Sequence, residues 1–227
     1  MGTVTLAQLK TRARQRADME NTGFISDSEL NTYVNASVAE LYDLLVSKYG
    51  EDYFVASPFS ITTTTNQDTY ALPTDMYKLL GVDLRLDTTN NWVSLKRFEF
   101  AERNIPQIWD IKFVDFIRYR LFGSNIKFSP VPQSAQVLRL WYIPLPVALV
   151  NDSDTLDGFN GYEEYVVIDV AIKMLNKEES DPTPLMAEKA AMKLRIEQMA
   201  EGRDVGQPSK VQDITSMSSN YYYGVYR

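Results

Sequence analysis

Two groups of carboxylates in this sequence have residue types suited to metal-assisted chemistry. In the first, Glu178, Glu179 and Asp181 lie within four positions of one another, and a magnesium-dependent nuclease needs carboxylates of this kind. However, Asp181 precedes Pro182, a pair typical of a helix N-cap followed by proline at the first helical position. No second acidic cluster lies at an identifiable partnering position. We therefore predict a corner between two helices here, not a catalytic centre.

The second group has part of the spacing of a calcium-binding loop. Asp157, Gly158 and Glu164 match the fifth, sixth and twelfth positions of such a loop. Ser153 and Thr155, however, stand where the loop needs carboxylates. A capping turn that leads into the following helix explains the segment better. We predict no metal and no cofactor.

Residue types that the chain lacks exclude several classes of catalytic site. Its 227 residues include no cysteine and no histidine. Disulfides, thiolate nucleophiles, Cys/His zinc sites and Ser-His-Asp triads therefore cannot form within it. The glycine patterns of phosphate-binding loops, dinucleotide sites and nucleophile elbows are missing from the sequence as well. The sequence predicts that the protein is not an enzyme.

The charge balance argues against nucleic acid as a tightly bound partner. Lysine and arginine number 23 against 30 acidic residues, which gives a net charge of −7, whereas a nucleic-acid-binding protein usually has a basic footprint. The local basic cluster is spread around a predicted helix, so we expect it to face solvent or an interface; it consists of Lys10, Arg12, Arg14 and Arg16. No run approaches the ~18–20 apolar residues of a membrane span, so no membrane partner is expected.

Helical patterns lie towards both ends of the chain. Apolar spacing predicts four helices, over residues 5–18, 27–49, 162–178 and 183–201. Ser26 and Glu29 predict a capping box at the start of the second. The third is apolar nearly all round, because Asp169 and Lys173 alone interrupt its apolar run. Such a helix must be covered on several sides, by its own chain or by other copies, which favours an assembly over a catalyst.

The central part of the sequence has the alternation of β-strands. It predicts a hairpin over 60–73 turning near Asn66, a strand over 79–87 that returns over 92–97, a short helix over 98–104, a hairpin over 116–130 turning at Gly123, and a strand over 137–144. The predicted fold class is α+β, mainly a helical bundle from the N- and C-terminal parts with a β-rich central insertion and an extended C-terminal arm. The corresponding divisions are 1–56, 57–150, 151–204 and 205–227.

The predicted arm has little core-forming content apart from its tyrosines. Four of them lie within six residues: Tyr221, Tyr222, Tyr223 and Tyr226. Tyrosine is favoured at interfaces because its ring is rigid and amphipathic. We predict that these four residues form a partner interface, in an arm that orders against a neighbour. A disordered tail is the alternative.

Three blocks of the chain resemble head-to-tail adaptor, or connector, proteins of tailed bacteriophages. They begin with LKTRARQRAD at Leu9, IKFSPVPQ at Ile126 and YEEYVVIDVA at Tyr162, and together they cover most of residues 5–204. The resemblance implies a helical bundle with a β insertion, assembled as a dodecameric ring in the neck of the virion after synthesis in the host cytoplasm. Its implied partners are further copies of itself, the portal protein and a tail or nozzle protein.

The resemblance also implies that DNA passes through the ring without specific binding, during genome retention and ejection. Twelve subunits at −7 would carry a charge of about −84, which repels phosphate. Glu178, Glu179 and Asp181 are the residues that we expect to face this channel. Adaptor C-terminal segments often reach the portal, which would suit the tyrosine arm. Two alternatives stay open: a tail-completion or tail-tube protein, for which mainly β structure is expected, and a metal-dependent packaging nuclease.

Overall fold

The computed structural model describes residues 3–20, 23–49, 54–87, 90–103, 117–157 and 161–200. Within these ranges the chain forms helices α1 (Leu6–Arg16), α2 (Asp27–Tyr49), α3 (Glu163–Glu178) and α4 (Thr183–Ala200). The helices agree with the four predicted ones to within two residues at each end that is described. The predicted arm over 205–227 lies outside the described residues, as do its four tyrosines.

The described ranges also contain ten β-strands. They are β1 (Thr3–Thr5), β2 (Phe59–Thr62), β3 (Thr69–Ala71), β4 (Met76–Arg85), β5 (Trp92–Ser94), β6 (Lys96–Arg97), β7 (Arg118–Phe122), β8 (Asn125–Ser129), β9 (Val137–Pro144) and β10 (Thr155–Asp157). Helices and strands together make the protein α+β, and the predicted fold class is confirmed at this level.

Side-chain caps set where the first two helices begin. At α1, the Thr5 hydroxyl accepts from the Gln8 amide at 3.2 Å and the Gln8 side chain accepts from the Thr5 amide at 3.0 Å, a complete capping box. At α2, the Ser26 hydroxyl accepts from the Glu29 amide at 3.3 Å, which is half of the predicted box. The Glu29 carboxylate itself bonds to Tyr33 and Lys177, so it ties α2 to α3.

Helix α3 lies at the centre of the helical part of the protein. It contacts α1, α2 and α4, and nine of its sixteen residues are buried. Its all-round apolar surface is therefore covered by helices of its own chain, because both termini of the chain contribute neighbours to it. The composition of α3 thus gives no reason to expect a second copy, contrary to the inference drawn from the sequence.

The strands form three sheets. β1 pairs with β10 antiparallel, which joins the two helical segments of the chain in a way that the sequence did not predict. One four-stranded sheet has the order β2-β9-β4-β5 and is antiparallel throughout. The other has the order β3-β8-β7-β6, in which β6 runs parallel to β7. Predicted strand 137–144 is β9, at the centre of its sheet.

A second apolar core belongs to these two four-stranded sheets. Both sheets contribute buried side chains to it, among them Val82, Leu84, Leu138, Leu140, Ile126 and Phe128. The helices share a separate cluster of buried residues, which also includes Leu149 and the half-buried Leu156. Because side chains alternate along a strand, Asp83 and Arg139 lie on the opposite face of their sheet from Leu84 and Leu140.

Two predictions in the β region need correction. The predicted hairpin over 60–73 is wrong, because β2 pairs with β9 and β3 pairs with β8 in the other sheet. A turn is present near Asn66, and the Tyr70 hydroxyl holds the crossing by accepting from the Thr64 amide at 2.8 Å. The predicted return strand 92–97 is split between β5 and β6, one in each sheet. The predicted hairpin of β7 and β8 is confirmed.

Candidate assembly site

A buried polar cluster connects α2, α3 and α4. Asp169 on α3 is only 4% exposed. One of its oxygens accepts from the Ser37 hydroxyl and from the Lys173 ammonium, and the other accepts from Lys189 at 2.8 Å. Lys189 also donates to Glu40 at 2.7 Å. The set, called here the Asp169 cluster, consists of Ser37, Glu40, Tyr165, Asp169, Lys173 and Lys189.

Hydrogen bonds within the Asp169 cluster favour the ionised forms of Asp169 and Lys189. Burial by itself would raise the pKa of Asp169, but hydrogen bonds from Lys173, Lys189 and Ser37 outweigh it and hold this pKa below the usual range. Burial would likewise lower the pKa of Lys189, yet its bonds to Asp169 and Glu40 raise it overall. Burial and a hydrogen bond to Glu40 raise the pKa of Tyr165 to about 12. The charges neutralise one another, so the cluster positions helices.

The predicted acidic corner forms between α3 and α4. Glu178, Glu179 and Asp181 are all exposed there. Glu179 ends α3 in the left-handed region at φ 63°, and its neighbour Ser180 donates its amide to Leu175 at 3.0 Å. Asp181 accepts from the Thr183 amide at 3.0 Å, and bonds to Thr183 lower the pKa of Asp181. The predicted capping hydrogen bond of Asp181 is present, although α4 begins at Thr183 and not at Pro182.

The acidic residues in the segment with calcium-loop spacing take part in turns, strand pairing and ion pairs. Asp154 accepts from the amides of Val150 and Asn151, each at 2.8 Å, and Glu164 bonds to Arg16 at 3.1 Å. Asp157 lies in β10 opposite Thr3, while Gly158 is outside the described residues. Among the residues described here, no three acidic side chains converge on a position that could hold a metal ion.

The basic residues of α1 are paired within the chain. Lys10 bonds to Asp152 at 2.7 Å and Arg14 to Asp27 at 3.0 Å, and both cations are buried. The remaining two also reach carboxylates: Arg12 to Glu163 at 3.9 Å, and Arg16 to Glu164 and Glu188. The expectation of a solvated or interface-facing basic helix is therefore wrong for Lys10 and Arg14, because their acidic partners come from other segments.

Helix α4 has apolar residues on two sides. Leu185 and Ile196 are buried towards the other helices. Met186, Ala190 and Leu194 are exposed, and Met186 and Leu194 keep 49% and 55% of their surface in solvent. Spacing of four residues puts these three on one side of the helix. This surface, called here the α4 face, was not predicted, since the apolar pattern of α4 does not show which side is covered.

An apolar pocket of about 190 Å³ opens beside α2, at the segment that follows β9. It is called here the α2 pocket. Its lining residues are Val38, Leu41, Tyr42, Leu45, Phe54, Pro146, Val147, Leu149, Thr155 and Leu156. Val147 is 85% exposed at this pocket, and burial raises the pKa of Tyr42 to about 12.

In the described helices no segment combines the length and apolarity needed to cross a bilayer.

The described residues thus combine exposed apolar side chains on α4 with acidic side chains that serve helix caps and ion pairs. The chain matches the SU10 adaptor protein family over residues 4–212, and it belongs to this family. It is thus a phage adaptor-type structural protein, a virion component that associates with other phage structural proteins. No curated protein matches it. The resemblance to phage adaptors is confirmed at this level.

Proposed function

We propose that the protein is a head-to-tail adaptor that forms a dodecameric ring in the neck of the virion, between the portal and the tail. The ring continues the DNA channel and acts in genome retention and ejection. The observation that carries the proposal is the adaptor-family match over residues 4–212. Exposed apolar surface on α4 agrees with it, because monomeric soluble proteins rarely leave large contiguous apolar patches in water.

The division of the chain is part of this proposal. Residues 1–56 and 151–204 make one helical bundle, and the β-rich residues 57–150 are inserted between its halves. Separate apolar cores for the helices and for the two four-stranded sheets support this division. Residues 205–227 make an arm whose tyrosines, Tyr221, Tyr222, Tyr223 and Tyr226, contact the portal.

The channel is proposed to be acidic. A ring of twelve copies would carry a charge of about −84, so DNA would slide through it without being held. Glu178, Glu179 and Asp181 are our candidates for the channel wall, and their exposure at one corner of the subunit is compatible with that position. Carboxylates of the same chain pair with all four basic residues of α1 and offset the charge of the local basic cluster.

The two alternatives receive less support. A tail-tube protein is expected to be mainly β, whereas four helices bury the larger of the two cores here. A metal-dependent nuclease needs converging carboxylates, and the described residues bring no such group of three together. Any DNA cleavage by the preparation can be compared between the parent chain and a variant with alanine at Glu178, Glu179 and Asp181. If the two cleave DNA equally, the nuclease alternative is wrong.

The decisive experiment is the mass of the full-length chain in solution, alone and mixed with the portal protein of the same phage. Native mass spectrometry should find a ring-sized assembly of the 26.0 kDa chain on the portal. Deletion of residues 207–227 should abolish portal binding if the arm makes that contact. A monomer that ignores the portal in every mixture contradicts the adaptor proposal.

A further inference from the structure

We propose that the acidic helical part of one copy binds to a basic patch on the β-rich part of the next copy. This inference rests on the proposed ring, and it names one contact that holds neighbouring copies together. The basic patch lies where β6 and the short 3-10 helix Phe100–Glu102 meet β7. It is called here the Phe100 patch and consists of Lys96, Glu99, Phe100, Glu102, Arg103, Arg118 and Arg120. Because the two surfaces differ, the contact is head-to-tail, a type that forms closed rings when the rotation between copies permits.

Two guanidinium groups of the Phe100 patch lie against one exposed aromatic ring. Phe100 keeps 50% of its surface in solvent, and the guanidinium carbons of Arg103 and Arg120 lie 4.6 Å and 5.5 Å from its ring centre. Arg103 donates to the Phe100 carbonyl at 3.0 Å. Arg120 donates to the Phe98 carbonyl at 3.2 Å. Since neither guanidinium bonds to a carboxylate among the described residues, both can bind an acidic partner.

The carboxylates of the Phe100 patch leave a net positive charge. Glu102 accepts from the Arg118 guanidinium through both of its oxygens, each at 2.8 Å. Hydrogen bonds from the Glu99 amide and from Arg118 lower the pKa of Glu102. Lys96 is exposed and lies opposite Arg118 in the pairing of β6 with β7, and no carboxylate of the described chain forms an ion pair with it. Four basic and two acidic residues give the patch a charge of +2, although the whole chain has −7.

The two parts of the chain have net charges of opposite sign. Residues 57–150 contain ten basic and eight acidic residues, a net charge of +2. Residues 1–56 and 151–204 together contain eleven basic and twenty-one acidic residues, a net charge of −10. Surfaces of unlike charge attract each other, and like charges placed against each other are costly. A copy that binds to the Phe100 patch therefore presents its helical part, and not its own β-rich part.

The form of the patch favours a protein over DNA as the occupant. Proteins that bind single strands offer an aromatic side chain on which a base can stack, whereas two guanidinium groups already lie against the Phe100 ring. Binding to a duplex needs a broad basic footprint, and a patch of +2 in a chain of −7 does not supply one. A carboxylate, by contrast, fits the planar fork of a single arginine. The helical part of a second copy supplies such carboxylates.

Cross-linking with a carbodiimide tests the contact in the parent chain, because this reagent joins a lysine to a carboxylate that touches it. Rings are assembled on the portal from equal amounts of unlabelled chain and chain labelled with heavy nitrogen. Lys96 should link to carboxylates of residues 1–56 or 151–204, in pairs of peptides of which one is labelled and the other is not. Lys78 is the matched control, because it is exposed on β4 in the other four-stranded sheet. Its links between copies should be about tenfold fewer.

Charge reversal tests the same contact through assembly. Lys96→Glu with Arg103→Glu should lose the ring on the portal and keep the circular dichroism of the parent chain, since neither side chain pairs with a carboxylate among the described residues. Lys78→Glu with Arg195→Glu makes the same change in net charge at two exposed positions outside the patch, and its ring should persist. Equal loss of the ring in the two double variants would show a general effect of charge and would overturn the contact.

The remaining outcomes separate this contact from the adaptor function. Rings in which Lys96 links to the portal protein, or to nothing, overturn the contact and leave the adaptor function standing. If Lys96→Glu with Arg103→Glu forms intact rings that have lost retention of DNA on a filter, the patch binds DNA and the inference is wrong. If the parent chain forms no ring on the portal under any condition, both the contact and the adaptor ring are wrong.

Discussion

Lys189 of α4 donates to Asp169 of α3 at 2.8 Å, at a position where the aspartate is almost completely removed from solvent. The bond joins two helices that are adjacent in sequence, and Ser37 joins the same carboxylate to α2. A buried ion pair adds little net stability, since desolvation offsets its attraction, but a buried charge left without its partner is strongly destabilising. The Asp169 cluster therefore fixes how three helices meet.

Replacement of Asp169 by alanine should lower the free energy of unfolding by about 3–5 kcal/mol. The physical reason is that Lys173 and Lys189 lose the carboxylate that both of them bind. Urea unfolding followed by circular dichroism measures the change. Glu188→Ala is the matched control, because the side chains of Arg16 and Glu188 in that pair are 41% and 48% exposed and exposed pairs contribute about 0–1 kcal/mol. Equal losses for the two variants would contradict the structural role of the cluster.

Stability should be nearly constant between pH 6 and 8 and should fall below about pH 4. The chain has no histidine to titrate in the upper range. Hydrogen bonds that outweigh burial hold the pKa of Asp169 and the pKa of Asp83 below that of an unfolded aspartate. A depressed folded-state pKa contributes stability above the unfolded pKa, and this contribution is lost as pH falls through the folded pKa.

Urea midpoints measured from pH 3 to 8 test this pH dependence. Asp169→Asn should show a smaller loss of stability on acidification than the parent chain, since it lacks one of the carboxylates responsible. The Glu188→Ala control should follow the parent. A steep fall between pH 7 and 5 in the parent chain would show that other groups dominate.

Local sequence patterns predicted the positions of the four helices. They did not predict which strands and side chains pair over long sequence distances. Helix periodicity is a property of neighbouring residues, so α2 was correct at both ends. The predicted hairpin over 60–73 is wrong because alternation specifies that a strand is half-buried but not which strand it joins. For the same reason Asp169 was noticed as an interruption of α3, while its partner Lys189 was not.

The candidate assembly site shows the same limit. Apolar residues at Leu185 and Ile196 and at Met186 and Leu194 give α4 two apolar stripes. Sequence alone does not decide which stripe the subunit buries. The α2 pocket combines α2 with the segment around Val147, more than a hundred residues away, and only the fold brings them together.

Arg139→Lys should destabilise the protein by about 1 kcal/mol although it keeps the charge. The Arg139 guanidinium lies 4.1 Å from the ring centre of Trp92 and 5.0 Å from that of Trp141, and it donates to Asp83 at 2.8 Å. An ammonium group has no plane to stack between two indoles. Urea unfolding measures the loss, and Arg97→Lys, at an exposed position on β6, should change the stability by less than about 0.5 kcal/mol.

Asp181→Ala should cost about 1 kcal/mol of stability, whereas Asp181→Asn should change it by a few tenths at most. The acceptor of the Thr183 amide is removed by alanine and kept by asparagine. Thermal or urea unfolding of both variants separates capping from charge. If asparagine were as harmful as alanine, the negative charge and not the cap would account for the stabilisation.

Because Asp181→Asn keeps the helix cap, the proposed channel can be tested without disrupting the corner between α3 and α4. Glu178→Gln, Glu179→Gln and Asp181→Asn together remove three negative charges from each subunit while the Asp181 cap is kept. In assembled phage particles this triple variant should slow DNA ejection, because less repulsion lets phosphate associate with the wall. The matched control neutralises three acidic residues elsewhere: Asp18→Asn, Glu20→Gln and Glu99→Gln. Ejection at the parent rate in the corner variant, or equal slowing in both, would mean that this corner does not face the DNA.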